Sequence, residues 1–215
     1  MAVTCGPGLV GSLLVGVAWT RAYAWARGLP LVGVNHLEGH VVSGWIDTPL
    51  LPYPALALIV SGGHTALWRV PEPGQYVQVA RTRDDAAGEA FDKAAKMMGL
   101  PYPGGPSIDR LAPSGNPQAF TFGEIKTKNG TPGFSFSGYK TAVRQHMEKA
   151  GIAPLAAPED TPPAAMIDLV ASFRYAVVRE LCRSTRHAIN ASRPRSLVLA
   201  GGVAANALLR VEISN

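Results

Sequence analysis

Cysteine is scarce in this chain: Cys5 and Cys182 are the two present in 215 residues, far apart and in no paired spacing. That excludes a disulfide framework and favours a reducing compartment. Charged residues are also few, 16% against 47% hydrophobic, which excludes a disordered chain. Acidic residues are the rarer sign, 15 against 20 Lys and Arg, and the net charge of +5 suits an acidic partner such as an RNA. A long apolar run is missing too. Residues 8–19 come nearest, but the run is too short to span a bilayer. It follows no Lys or Arg and lies among Gly6, Gly8, Gly11 and Gly16, so it does not read as a signal segment, although Ala22-Tyr23-Ala24 loosely imitates a cleavage site. These absences predict a cytoplasmic protein with no membrane partner, and a buried helix over the run.

What is present fills one large domain or two lobes. Residues 1–4 read as the end of a strand, followed by a helix over 10–26 that stops at Gly28-Leu29-Pro30. A short β-rich run at 31–34 leads into a helix at 36–40. Pro49, Pro52 and Pro54 then mark a boundary between lobes, giving domains 1–50 and 51–215. A continuous apolar strand over 55–60 is followed by its hairpin partner at 66–70 and an alternating strand at 76–80. The spacing of Ala90, Phe91, Ala94, Ala95 and Met98 predicts a helix over 87–98 with one apolar face. An irregular loop at 113–136 precedes helices at 137–149 and 164–190. A buried strand at 196–200 then runs through Gly201-Gly202 into a last helix containing Asn206. Meandering strands, helices and a parallel-type strand argue for an α/β fold.

Two motifs carry chemistry. In Asn35-His36-Leu37-Glu38-Gly39-His40 the histidines are four apart, so on a helix both imidazoles face one way and can share a metal ion. In Ser61-Gly62-Gly63-His64-Thr65 a Gly-rich turn between apolar strands lets backbone N–H groups approach a phosphate, or serves only as a tight hairpin turn. Gly201-Gly202, between a strand and a helix, is a second nucleotide-friendly junction or a close packing point. A metal beside a nucleotide turn is the leading expectation. Glu38 invites a metalloprotease reading, but it lies two residues past His36, about 200° round the helix, and points away from the metal. Asp84 and Asp85 read as caps for the helix near Ala87, and His64 as a hydrogen-bonded residue rather than a third ligand. His146 and His187 need no function. The basic cluster at 179–187 with Arg193 and Arg195 reads as a solvated face.

The segments at 35–40, 58–65, 84–93, 102–106, 134–141 and 200–206 stand in the order seen in one family. Together they resemble the TsaD/YgjD tRNA threonylcarbamoyl transferases, formerly described as glycoproteases. The resemblance implies a two-lobed ATPase fold of the actin/Hsp70/sugar-kinase (ribonuclease H-like) type. It implies a metal-dependent acyltransferase that moves threonylcarbamoyl from threonylcarbamoyl-AMP to the tRNA adenosine adjacent to the anticodon. By the same resemblance His36 and His40 hold one iron ion (Fe2+), with zinc able to replace it in vitro. Ile59, Val60, Ser61, Gly62, Gly63, Asp92, Gly105, Asp109 and Asn206 bind substrate, and TsaB-like and TsaE-like proteins act as partners.

Family members carry a longer N-terminal region and continue past the segment matching Asn206 to an aspartate that completes the metal site. The expectation is therefore of a chain truncated at both ends, with an incomplete first lobe, exposed apolar edges and low stability alone. The rival expectation is a non-catalytic ATP-binding scaffold subunit of the same modification complex.

Overall fold

A computed structural model describes residues 1–44, 46, 51–123 and 133–214. The fold is mixed α/β, and the chain divides into two compact units, Met1–Leu51 and Pro52–Asn215. Pro49 lies outside the described residues, as does part of the loop expected over 113–136.

In the first unit, strands β1 (Ala2–Gly6) and β2 (Val32–Asn35) pair in parallel, and helix α1 (Val10–Ala26) connects them. The helix ends where predicted: Gly28 takes a positive φ of 61°, and the Leu29 N–H donates back to the Ala24 carbonyl. Helix α2 (His36–Ser43) starts on Asn35, whose Oδ1 accepts from the N–H groups of Leu37 at 2.9 Å and Glu38 at 3.4 Å. The expectation of a buried helix over the apolar run is corrected. On α1 only Thr20 and Ala24 are buried, while Leu14, Val15, Trp19 and Trp25 are exposed. Its apolar residues run all round the helix, and two strands offer too narrow a surface to cover them.

In the second unit, strands β3 (Ala55–Val60), β4 (Thr65–Val70) and β5 (Val77–Arg81) form an antiparallel meander. Strand β6 (Ser196–Ala200) pairs in parallel with β3, giving the order β5-β4-β3-β6. All six residues of β3 are buried, as a continuous apolar run in a central strand should be. Leu56, Leu58 and Val60 join one core with residues of helices α3 (Ala87–Met98), α5 (Ser137–Ala150) and α6 (Ala164–Ser192). Phe91 of α3 and Phe173 of α6 meet edge to face there, with ring centroids 5.5 Å apart. The apolar face predicted for α3 is the buried one, and the helix ends at Gly99 in the left-handed conformation.

Three local expectations are corrected. Asp84 and Asp85 do not cap α3; the Ala87 N–H donates instead to the Thr65 hydroxyl at 2.9 Å, so β4 holds the helix start. Residues 104–111, unassigned in the sequence reading, form helix α4 (Gly104–Leu111). Asn206 precedes the last helix, α7 (Ala207–Ser214), rather than lying within it, because a short 3-10 turn (Gly202–Ala205) intervenes.

Candidate functional site

Strands β3 and β6 run in parallel, so their carboxyl ends open at the same edge of the sheet. In open α/β sheets that edge is where ligands settle. After β3 the chain makes the hairpin turn at 61–64. The Ser61 N–H donates to the His64 carbonyl at 2.8 Å, and the His64 N–H donates to Ser61 Oγ at 3.1 Å. After β6 it turns at Gly201, whose φ is 99° and where an added Cβ would sit 2.3 Å from the Val60 carbonyl oxygen. Only glycine allows β6 to end this close to β3. Gly88, in the first turn of α3, lies against the hairpin in the same way. A Cβ there would be 2.6 Å from the Ser61 carbonyl oxygen and 2.7 Å from Gly62 Cα.

These approaches frame a cavity of about 600 Å³. Gly62 and Gly202 line it from the two strand ends, Asp92 and Phe91 from α3, and Gly105 and Asp109 from α4, with Asn206 before α7. Tyr102 and Arg110, both exposed, complete its rim. Five of the residues proposed from sequence, Gly62, Asp92, Gly105, Asp109 and Asn206, are thus brought to one cavity. The other four are not in its wall. Ile59 and Val60 are fully buried in β3, Ser61 closes the hairpin, and Gly63 is the exposed tip of the turn. Among the described residues the Gly62 and Gly63 N–H groups donate to no protein acceptor, which leaves two backbone donors at the tip.

The polar side chains are held by the fold. Asp92 Oδ1 accepts from the Gly104 N–H at 2.8 Å, so a mid-helix carboxylate of α3 starts α4. Asp109 Oδ1 pairs with Arg174 Nη1 of α6 at 2.8 Å, and its Oδ2 accepts from the Ala207 N–H at 3.1 Å. Asn206 Oδ1 accepts from the Leu209 N–H at 3.0 Å and caps α7. Beside the cavity Lys93 is bound to Asp85 at 2.7 Å and Glu89 at 2.8 Å, and these two hydrogen bonds raise its ammonium above the ordinary lysine range.

Sequence reading missed Gly88, Tyr102 and Arg110 as wall residues, and Arg174 behind the wall, whereas Gly202 of the second glycine junction does line the cavity. Gly88 is one small residue in an alanine-rich helix, so its signal appears only when the hairpin is placed against it. Arg174 looks like any helical arginine until its carboxylate partner, 65 positions away, is known.

His36 and His40 lie in the first unit, on α2, both half-buried, with ring centroids 4.5 Å apart at an interplanar angle of 64°. The two rings thus stand side by side on one helix, and neutral imidazole is a donor type that iron and zinc both accept. Among the described residues no group of three His, Cys, Asp or Glu side chains comes together as a metal seat. No helix among them is long and apolar enough to cross a membrane.

The profile of a family described as "TsaD: tRNA N6-adenosine threonylcarbamoyltransferase" matches residues 1–215. A curated relative of that enzyme name from Anaeromyxobacter dehalogenans (strain 2CP-1 / ATCC BAA-258) is 51% identical over 210 residues, covering 98% of this chain and 60% of the relative. One from Desulfitobacterium hafniense (strain Y51) is 49% identical over 214 residues, covering 100% of the chain and 61% of the relative. A third, from Geobacter sulfurreducens, is 47% identical over 215 residues, again with 61% of the relative covered. The chain therefore spans about 60% of the length of the curated relatives it matches.

Proposed function

The chain belongs to the TsaD family of tRNA N6-adenosine threonylcarbamoyltransferases, and on that premise we propose that its cavity binds threonylcarbamoyl-AMP for transfer to tRNA. The observation that carries the proposal is the convergence of Gly62, Asp92, Gly105, Asp109 and Asn206 on one cavity at the carboxyl ends of two parallel strands. The Gly62 N–H, which donates to no protein acceptor among the described residues, suits the phosphate. The carboxylates of Asp92 and Asp109 suit the sugar or threonyl hydroxyls. Asn206 lines the cavity with its Oδ1 engaged on α7, which leaves its amide nitrogen as the donor a ligand would meet.

In the proposed reaction the exocyclic amine of the adenosine next to the anticodon attacks the carbamoyl carbon. A nitrogen–carbon bond forms, the bond from that carbon to the phosphate oxygen breaks, AMP leaves, and the amine loses a proton. The chain holds the AMP moiety while charge builds on the leaving phosphate, a positioning role worth orders of magnitude in rate. His36 and His40 would hold the iron ion, which would supply Lewis acidity when bound. The fold reading is the actin/Hsp70/sugar-kinase class, supported by the mixed sheet and the two glycine junctions at its edge. TsaB-like and TsaE-like proteins are the proposed partners, and the cytoplasm the proposed location.

Nucleoside mass spectrometry of tRNA incubated with threonylcarbamoyl-AMP and the partner proteins tests this. Asp92→Ala is expected to lower product at least about tenfold, the loss expected for a misplaced substrate. The double variant His36→Ala/His40→Ala is expected to abolish product while nucleotide binding persists. Undiminished product from the cavity variant would contradict the site, and undiminished product from the histidine variant would favour the scaffold reading.

A further inference from the structure

The geometry points to Arg174 as a positioning residue that aims the Asp109 carboxylate into the cavity for recognition of ribose hydroxyls. The inference rests on the nucleotide reading of that cavity and extends it to a residue outside the wall. Arg174 stands on α6, and its side chain is only 11% exposed. Its Nη1 donates to Asp109 Oδ1 at 2.8 Å and approaches the Asp109 carbonyl oxygen at 3.4 Å. Its Nε is buried with no hydrogen-bond partner among the described residues.

A guanidinium taken out of water is costly, and an unpartnered buried N–H adds to that cost. A Leu or Met in this helical position would pack without either penalty, so the gain must come from what the charge grips. What it grips is one oxygen of a carboxylate whose other oxygen accepts from the Ala207 N–H at 3.1 Å. Held at both oxygens, by α6 and by the start of α7, the carboxylate cannot turn about its own axis. Each carboxylate oxygen has two acceptor sites, so Asp109 keeps capacity for hydroxyl donors from the cavity it lines. A pair of neighbouring hydroxyls on a sugar suits a carboxylate fixed in this way, because both can donate to its open acceptor sites.

The rival role for Arg174 is a brace between α4 and α6 with no bearing on the ligand. Calorimetric titration of the full chain with AMP and with 2′,3′-dideoxy-AMP separates the two. Arg174→Gln is expected to weaken AMP binding about tenfold, the value of a lost charged hydrogen bond, and to leave dideoxy-AMP binding unchanged. Asp109→Asn is expected to do the same, the double variant to be no worse than either single one, and Arg174→Lys to recover part of the loss. Equal weakening of both nucleotides by Arg174→Gln would assign the brace role and overturn the inference, as would unchanged AMP binding. If the wild-type chain binds AMP and dideoxy-AMP alike, ribose reading by Asp109 is wrong. If it binds neither, the nucleotide reading of the cavity fails first, and this inference with it.

Discussion

At Gly88 the backbone of α3 comes so near the hairpin turn that a Cβ would meet the Ser61 carbonyl oxygen at 2.6 Å. Alanine in a helix interior is favoured over glycine by about 1 kcal/mol. Forcing backbone apart in a packed core costs about 1–3 kcal/mol, so the steric term should win. Gly88→Ala is expected to lower the denaturant midpoint and weaken nucleotide binding; a higher midpoint would show that the hairpin can move aside. The two cysteines differ as sharply. Cys5 is exposed, whereas Cys182 is buried, and that burial pushes its thiol up to about 11. Thiolate is the reactive form, so a thiol reagent at neutral pH is expected to label Cys5 at once and Cys182 only on unfolding. Rapid double labelling of the native chain, read by mass spectrometry, would contradict this.

The start of α5 depends on one side chain from far away in sequence. Asp84 accepts from the Phe136 N–H at 2.7 Å, the Ser137 N–H at 3.2 Å and the hydroxyls of Ser135 and Ser137. Burial pushes its carboxyl up, but the donors from Ser135, Phe136 and Ser137 outweigh that and hold it below the ordinary value of 3.8. A depressed carboxyl stabilises the fold above its ordinary value, and that stability is lost as pH falls through the folded value. Asp84→Ala is therefore expected to cost about 1–2 kcal/mol at neutral pH, the worth of an exposed capping carboxylate. The gap from wild type should close below pH 3.8; a gap independent of pH would assign the loss to packing. The same aspartate shows where sequence reading stops. The apolar run at 55–60 and the spacing of Ala90, Phe91, Ala94 and Met98 are periodic patterns that fix β3 and the buried face of α3 without a partner being known. Which helix Asp84 serves is a tertiary fact. Helix α4 is unassigned from sequence because Pro103, Gly104, Gly105 and Pro106 carry no helical period. Pro106 sits in the first helical turn, where its missing N–H removes no bond, and the Gly104 N–H finds Asp92.

Across the whole chain the two units differ in what holds them. The second has a continuous core around Leu56, Leu58, Phe91, Phe173 and Val177. In the first, the buried described residues are Thr20, Ala24 and Val41. The apolar content of α1 was legible from sequence, but its exposure was not, because a hydropathy pattern does not say how much surface is available to cover it. The histidine pair and the glycine turn were both legible as motifs, and five of nine proposed substrate residues meet in one cavity. Ile59 and Val60 matter there as the strand that delivers the turn. The central claim, that this cavity is the nucleotide site, is tested most directly by hydrogen–deuterium exchange of the full chain with and without threonylcarbamoyl-AMP. The account expects slowed exchange together at 61–63, 88–92, 104–109 and 202–207. Unchanged exchange in those segments, or slowing confined to residues elsewhere, would contradict it.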